Sequence, residues 1–302
     1  MLKVLIIGYS SLVKRRIIST LIRNKISYDI ASRSKKQKDT NAENWYHGYN
    51  NGINNSNADI AYISLPNSLH YNWAIKSLNK NFHTLIDKPA TLNLKQLDKL
   101  IYTSKKKKKV LSESVFFNYH LQIQSTLDKI KKNKVKRVNA NFLIPKPNKK
   151  SILLSNKLKG GVIMDMGPYI AAISRLFFKS APKKIIKNIV FKNKISSKIE
   201  IIFIYKESFF IGKFSHDDQY KNFIEIYLSN KTIKLSRVFS PPAQENLKVL
   251  ELNEKKNKSK IFKDDAFEKY IKDVFKKIKE KKYNYYHNQM IFDVKIRELL
   301  QN

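Results

Sequence analysis

Leu2-Lys3-Val4-Leu5-Ile6-Ile7-Gly8 opens the chain as an apolar run that ends in glycine. Such a run reads as a buried parallel strand. Just beyond it, residues 11–24 carry Leu12, Ile17, Ile18, Leu21 and Ile22 at helical spacing. Residues 27–32 then read as a second strand. The polar, asparagine-rich stretch 35–57 has Trp45 and Tyr46 as its strong anchors and reads as a helix and loop. Strands follow at 58–65, 82–86 and 110–115, with helices at 70–78 and 92–103. Strict alternation of strand and helix over the N-terminal third implies a parallel sheet with right-handed crossovers.

The pattern changes near residue 135. Segments 135–144, 184–190, 199–205, 208–214, 223–228 and 232–235 are strand-like with short gaps, entered through a helix at 162–177. The spans 264–281 and 288–300 read as amphipathic helices. The expected fold is therefore α/β: an N-terminal parallel sheet plus a C-terminal α+β domain with a largely antiparallel sheet. The break is placed at 119/120, giving domains 1–119 and 120–302.

At 302 residues and 42% hydrophobic content the chain can bury two cores. It contains no cysteine, which excludes disulfides and thiolate metal sites. Its six histidines show no metal-ligand spacing, so no metal is expected. No apolar run approaches the roughly 20 residues of a membrane span, and the first run is too short for a secretory signal. The expectation is a cytoplasmic protein with no membrane partner. The net charge of +36 has two readings. Lysines are spread along the whole chain beside abundant Ile, Asn, Tyr and Phe, as codon bias in an AT-rich genome would produce. Alternatively, the charge is a functional electropositive surface.

Gly8, after a buried strand and before a helix, stands where a dinucleotide fold makes its phosphate turn. The usual spacing would add glycines at 10 and 13, where this chain has Ser10 and Val13. Ser10 and Ser11 offer hydroxyls, and the helix start offers N–H groups to a phosphate. At the tip of the second strand, Ala31-Ser32-Arg33-Ser34-Lys35-Lys36 lacks the acid that binds a ribose 2′-hydroxyl. A hydroxyl, a guanidinium and two ammonium groups suit a 2′-phosphate, so NADP(H) is favoured over NAD(H).

Two further clusters carry chemistry. Asp87-Lys88-Pro89 follows the strand 82–86. Gly160-Gly161-Val162-Ile163-Met164-Asp165-Met166-Gly167-Pro168-Tyr169 holds three of the chain's seven glycines. A lysine and a tyrosine, with an acid four residues before the tyrosine, can move a proton at a carbonyl or alcohol. Asp165 and Tyr169 would share a face of one continuous helix. Pro168, however, suits a helix that starts only there, which leaves their relation open.

With these residues in view, the chain resembles the glucose–fructose oxidoreductase/inositol dehydrogenase (Gfo/Idh/MocA) family. The resemblance runs through Ala58–His70, through Thr84-Leu85-Ile86-Asp87-Lys88-Pro89 with Asp for the commoner Glu, through Ser112–His120, and through Gly160–Tyr169. It implies an N-terminal Rossmann domain, a C-terminal α+β domain whose largely antiparallel sheet is open, and a nicotinamide cofactor held by Gly8, Ser10, Ser11, Leu12, Ser32, Arg33, Ser64, Leu65, Pro66, Asn67, His70, Asp87 and Lys88. It also implies Lys88, Tyr169 and Asp165 as catalytic residues: Lys88 on substrate and cofactor, Tyr169 as proton donor or acceptor, and Asp165 binding or orienting substrate. A sugar-like substrate and a homo-dimer or higher homo-oligomer formed through the open sheet complete the implication, with no specific nucleic-acid partner.

Residues 233–242 resemble a stretch of the branch that holds nucleotide-diphosphate-sugar ketoreductases. The leading expectation is thus an NADPH-dependent reductase of a keto-sugar, nucleotide-linked, in surface-polysaccharide biosynthesis. The alternatives are a dehydrogenase of a free sugar or cyclic diol, and a non-catalytic basic binding protein on the same fold.

Overall fold

The structure, a computed structural model, describes residues 2–34, 41–131, 133–254 and 256–301. Lys35 and Lys36 lie outside the described residues. By internal packing the chain forms two units. One holds Met1–Ser114 with Phe267–Ile291, the other Val115–Ala266 with Phe292–Asn302. The sequence reading placed 264–281 in the second domain; the structure puts most of it in the first unit.

The first unit is built on β1 (Val4–Ile7), β2 (Tyr28–Ser32), β3 (Trp45–His47), β4 (Ile60–Ile63), β5 (His83–Ile86) and β6 (Leu111–Glu113). Their order across the sheet is β3-β2-β1-β4-β5-β6, and every pair is parallel. This is the doubly wound Rossmann order, which reverses between β1 and β4. The four residues of β1 are at most 1% exposed, which explains their uninterrupted apolar character. β3 was read as helix and loop. It is a three-residue edge strand held by its aromatic groups: Trp45 meets the Tyr9 ring edge-on, and its indole N–H donates to Ser34 O.

The helices α1 (Ile18–Arg23), α2 (Tyr49–Asn55), α3 (Asn67–Asn79) and α4 (Leu94–Lys107) belong to this unit. Helix α4 starts at Asn93, whose side chain accepts from Gln96 N at 3.0 Å, and stops at left-handed Lys108. Its buried stripe is Leu97, Leu100, Ile101 and Ser104. The C-terminal Phe267 and Tyr270 also pack here. Tyr270 is fully buried and its hydroxyl donates to Ser112 Oγ at 3.1 Å.

Two buried histidines give this unit a pH response. His83 Nδ1 accepts from Val110 N–H at 2.9 Å, which requires a neutral ring. Burial first, then the Lys109 charge, pushes its pKa down to about 4. Burial and then Lys105 push His287 down to about 4 as well. Each ring binds its proton more readily unfolded than folded. Their contribution to stability is therefore complete above the ordinary histidine pKa of about 6.5 and is lost as pH falls toward about 4. The unfolding midpoint should drop across that window, and more steeply than in a His83→Asn/His287→Asn variant. Equal slopes would contradict this account.

The second unit is an eight-stranded sheet in the order β14-β13-β12-β11-β7-β10-β9-β8. Its strands are β7 (Arg137–Leu143), β8 (Lys184–Lys192), β9 (Ile195–Ile204), β10 (Phe209–Ser215), β11 (Lys221–Tyr227), β12 (Thr232–Ser236), β13 (Glu245–Leu252) and β14 (Lys258–Asp264). All neighbours are antiparallel except β7 and β10. Side chains alternate: Ile199, Ile201, Phe203, Phe210, Phe214, Ile224 and Ile226 enter the core with α6 (Val162–Ile173), which comes after α5 (Leu121–Ile130) in the chain. On the other face Ile186, Val190, Phe209 and Ile211 stay exposed. β13 and β14 were not anticipated, because charged residues such as Glu251, Lys258, Lys260 and Lys263 interrupt their apolar pattern. Among the described residues no helix is long and apolar enough to cross a membrane.

Candidate active site

Parallel sheets of this order bind ligands outside the carboxyl ends of their strands, where the order reverses. Gly8 occupies that point at the end of β1, with φ +104. A Cβ there would sit 2.1 Å from Ser64 O and 2.8 Å from Leu65 Cδ2. Only glycine fits, and the close approach leaves a cradle beside the helix start. A π-turn over Val13–Ile17 leads into α1.

Ser10 does not simply face outward. Its Oγ accepts from Val13 N at 3.1 Å and lies 2.8 Å from Ser64 Oγ. Ser11 is exposed and Leu12 is partly exposed. At the tip of β2, Ser32 is buried and its Oγ lies 2.7 Å from Ser34 Oγ. Arg33 is exposed, its guanidinium 5.8 Å from the centre of the Tyr49 ring. Asp29, three residues before Ser32 on the same strand, is buried and occupied by Lys3, Asn44 and Ser56.

The Asp87-Lys88-Pro89 loop leaves the end of β5 and is fastened at three points. Tyr62 and Ser64 hydroxyls donate to the two oxygens of the Asp87 carboxylate. His70, 1% exposed, places its ring nitrogens 2.7 Å from Leu65 O and 2.8 Å from Pro89 O. Glu113 at the end of β6 accepts from Ala90 N at 2.7 Å. The Lys88–Pro89 bond is cis. Burial raises the Asp87 pKa, opposed by the Ser64 and Tyr62 hydrogen bonds. Burial also lowers that of His70. His70 thus ties the Leu65-Pro66-Asn67 turn to the lysine loop from beneath. Tyr62 and Glu113 were missed from sequence. A buried acid ending an apolar strand was the available signal for Glu113.

In the second unit, Gly160 and Gly161 bring the chain into α6. A Cβ on Gly160 would lie 2.5 Å from both Ile152 O and Leu153 O, and Gly161 has φ +97. Helix α6 starts at Val162 and runs through Pro168. Asp165 and Tyr169 therefore lie one turn apart on one helix, which the sequence left open. Behind them Gly167 admits Arg297, whose Cγ would be 3.0 Å from an added Cβ. Arg175 holds Asp293 bidentately at 2.8 and 2.9 Å.

The Asp165 carboxylate meets His216 Nε2 at 3.0 Å, with His216 itself buried. Its first-turn position also suits the positive end of the helix. Tyr169, half-buried, is boxed by Phe117, Phe142 and Phe239, with ring centres at 5.5, 5.6 and 5.3 Å. His216 carried no signal in the sequence: it lies 51 residues from Asp165. His120 is buried and caps α5, its Nδ1 accepting from Gln122 N at 3.2 Å.

A glycine cradle at the switch point of a parallel six-stranded sheet, with a lysine at the end of β5, defines a Rossmann-type dinucleotide-binding fold. Residues 2–115 match the family described as "Oxidoreductase family, NAD-binding Rossmann fold", GFO_IDH_MocA. The N-terminal segment 2–115 is thus similar to the NAD-binding domain of this Gfo/Idh/MocA family.

It is 27% identical to the dTDP-3,4-didehydro-2,6-dideoxy-alpha-D-glucose 3-reductase of Streptomyces violaceoruber over 158 residues, 50% of this chain and 46% of that one. It is 26% identical to D-xylose 1-dehydrogenase (NADP(+)) 2 of Haloferax volcanii over 135 residues, 44% and 42% of the two chains. The matched part spans roughly half the length of these curated relatives. The structure of KijD10, a 3-ketoreductase from Actinomadura kijaniata in complex with NADP and TDP-benzene, superposes with a TM-score of 0.90. That match is at 20% identity and covers 98% of this chain and 96% of KijD10, which establishes the shared fold.

Proposed function

We propose that the protein is an NADP(H)-dependent oxidoreductase acting on a sugar-type carbonyl or alcohol, with a nucleotide-linked keto-sugar reduced in surface-polysaccharide biosynthesis as the leading substrate class. The observation that carries this is the lysine loop: Lys88 stands at the end of β5, held on both sides by Asp87, His70 and Glu113. The similarity to a dTDP-keto-sugar 3-reductase and to an NADP-bound 3-ketoreductase supports the substrate class and the cofactor.

The cradle at Gly8 and the helix start after Ser10 would hold the pyrophosphate. Ser32 and Arg33 would hold a 2′-phosphate. When bound, the nicotinamide supplies or accepts the hydride at the substrate carbon. Tyr169 gives its phenolic proton to the carbonyl oxygen in reduction and takes it back in oxidation. Lys88 stabilises the negative charge that develops on that oxygen, and Asp165, braced by His216, orients a substrate hydroxyl. The similarity to a xylose dehydrogenase favours oxidation of a free sugar as the second reading.

Fluorescence titration with NADPH and NADH tests the cofactor assignment. NADPH should bind at least tenfold more tightly, and Arg33→Ala should remove about that factor for NADPH alone, since one charge-assisted phosphate contact contributes about 1.5–3 kcal/mol. Preference for NADH would discard the 2′-phosphate site. Turnover of a dTDP-keto-sugar with NADPH, against D-xylose with NADP, separates the two substrate readings.

We also assign the protein to the cytoplasm and expect pairing of two copies through the exposed apolar face around Ile186, Phe209 and Ile211. An Ile211→Lys variant should sediment as a single chain while the parent sediments as two. A parent mass of one chain would remove the pairing.

A further inference from the structure

Two features set this chain apart from the glycine-rich dinucleotide fingerprint and the resembled Glu-Lys-Pro pattern: Ser10 in place of the second glycine, and Asp87 before Lys88. In the structure they are joined. Ser64 lies between them, its Oγ 2.8 Å from Ser10 Oγ and bonded to the Asp87 carboxylate. Each serine hydroxyl has one proton to give. The carboxylate takes the proton of Ser64, so Ser64 can only accept from Ser10. Ser10 in turn gives its proton to Ser64 and accepts from Val13 N–H. The chain of donors runs one way, from the first turn of the helix, across the ends of β1 and β4, to the acid beside Lys88.

We propose that Ser10, Ser64 and Asp87 form a positioning relay that couples occupancy of the phosphate turn to the placement of Lys88, so that the two departures are one compensated pair. The proposal rests on the cofactor reading above. It makes a commitment the sequence did not: the Ser10 hydroxyl is turned inward, and the phosphate is left to backbone N–H groups. It also gives the short Asp87 a purpose. Its two oxygens reach Ser64 and Tyr62 on the same strand, β4, or at its end. A glutamate is one methylene longer and could keep both partners only if the loop moved outward.

A double-mutant cycle on the full-length protein tests the relay. Ser10→Ala, Asp87→Asn and the double variant are titrated with NADPH, and their urea unfolding is followed without cofactor. Each single variant should raise the NADPH Kd about tenfold, the effect of losing one charge-assisted or buried hydrogen bond. The double should be no weaker than the weaker single, a coupling of about tenfold, and Ser10→Thr should restore binding. Where Asp87→Asn fails to fold, Ser64→Ala replaces it with the same expectation.

Additive effects on Kd overturn the relay, even if unfolding shows coupling, because a purely structural contact would couple only there. An unchanged Kd in Ser10→Ala also overturns it. Wild-type protein that binds neither NADPH nor NADH is a separate result, read before any variant is made: it removes the cofactor reading and the relay with it. Tight wild-type binding with an additive cycle removes the relay alone.

Discussion

Lys88→Ala and Tyr169→Phe each lower turnover by about two orders of magnitude or more, the ordinary contribution of a positioned proton donor or charge, with little change in the unfolding midpoint. The asymmetry follows from where the two side chains stand. Lys88 is partly exposed on a loop whose anchors are its neighbours: the Asp87 carboxylate, the Pro89 carbonyl and the Ala90 N–H. Removing the ammonium leaves all three intact. Tyr169→Phe keeps the ring between Phe117, Phe142 and Phe239 and deletes only the hydroxyl. Asp165→Asn should weaken substrate binding more than turnover, since its proposed part is orientation. Steady-state kinetics on a keto-sugar nucleotide, beside thermal unfolding, checks all three. Wild-type turnover in the Lys88 and Tyr169 variants would end the role assignment.

The second large effect is on the fold. Gly8→Ala puts a methyl 2.1 Å from a backbone oxygen of β4's exit and asks an alanine to hold φ +104. Backbone strain of this kind costs about 1–3 kcal/mol, and the clash with main chain cannot be relieved by a rotamer change. We expect a loss of at least about 3 kcal/mol, a fall in melting temperature of roughly 5 °C or more on the usual scaling for a chain of this length, and no measurable NADPH binding. Gly48→Ala separates the two causes. Gly48 also has positive φ, at +85, but nothing lies within 4 Å of its added Cβ. It should lose only the strain, about 1–2 kcal/mol. Equal losses at the two positions would show that the contact with Ser64 is not what demands glycine.

What was legible in the chain follows from the range of the forces involved. β1, β4 and β5 are buried on both faces, so their apolar runs announce them whatever their neighbours. β3 carries only three residues and exists because it can pair with β2, a fact no local pattern contains. β14 is hidden by its own lysines. Ser10, Ser64, Asp87 and Asp165 were read one by one, Tyr62 and His216 were not, and none of the joining was: Ser10 meets Ser64 across 54 residues, Tyr62 meets Asp87 across 25, and Asp165 meets His216 across 51. The helix was read at 162–177, but Pro168, which lacks an N–H, left open whether it started only there. The helix begins six residues earlier, at Val162, after a glycine pair pressed against Ile152 and Leu153. Tyr270 shows the same limit at larger scale: its helix was legible, its partner Ser112 was not.

The lysines of the second sheet do more than conceal a strand. An open sheet ends in two rows of unpaired backbone groups, each able to recruit another chain and grow without limit. Here one end is β14, with Lys258, Lys260 and Lys263, and the other is β8, with Lys184, Lys187 and Lys192. Two such borders brought side by side would set like charges against each other at strand spacing, about 4.8 Å. The sheet is thereby sealed against fibre-like extension while Ile186, Phe209 and Ile211 on its flat side remain available to be covered. A surplus of positive charge that looks indiscriminate along the chain becomes, at these two borders, a safeguard against polymerisation.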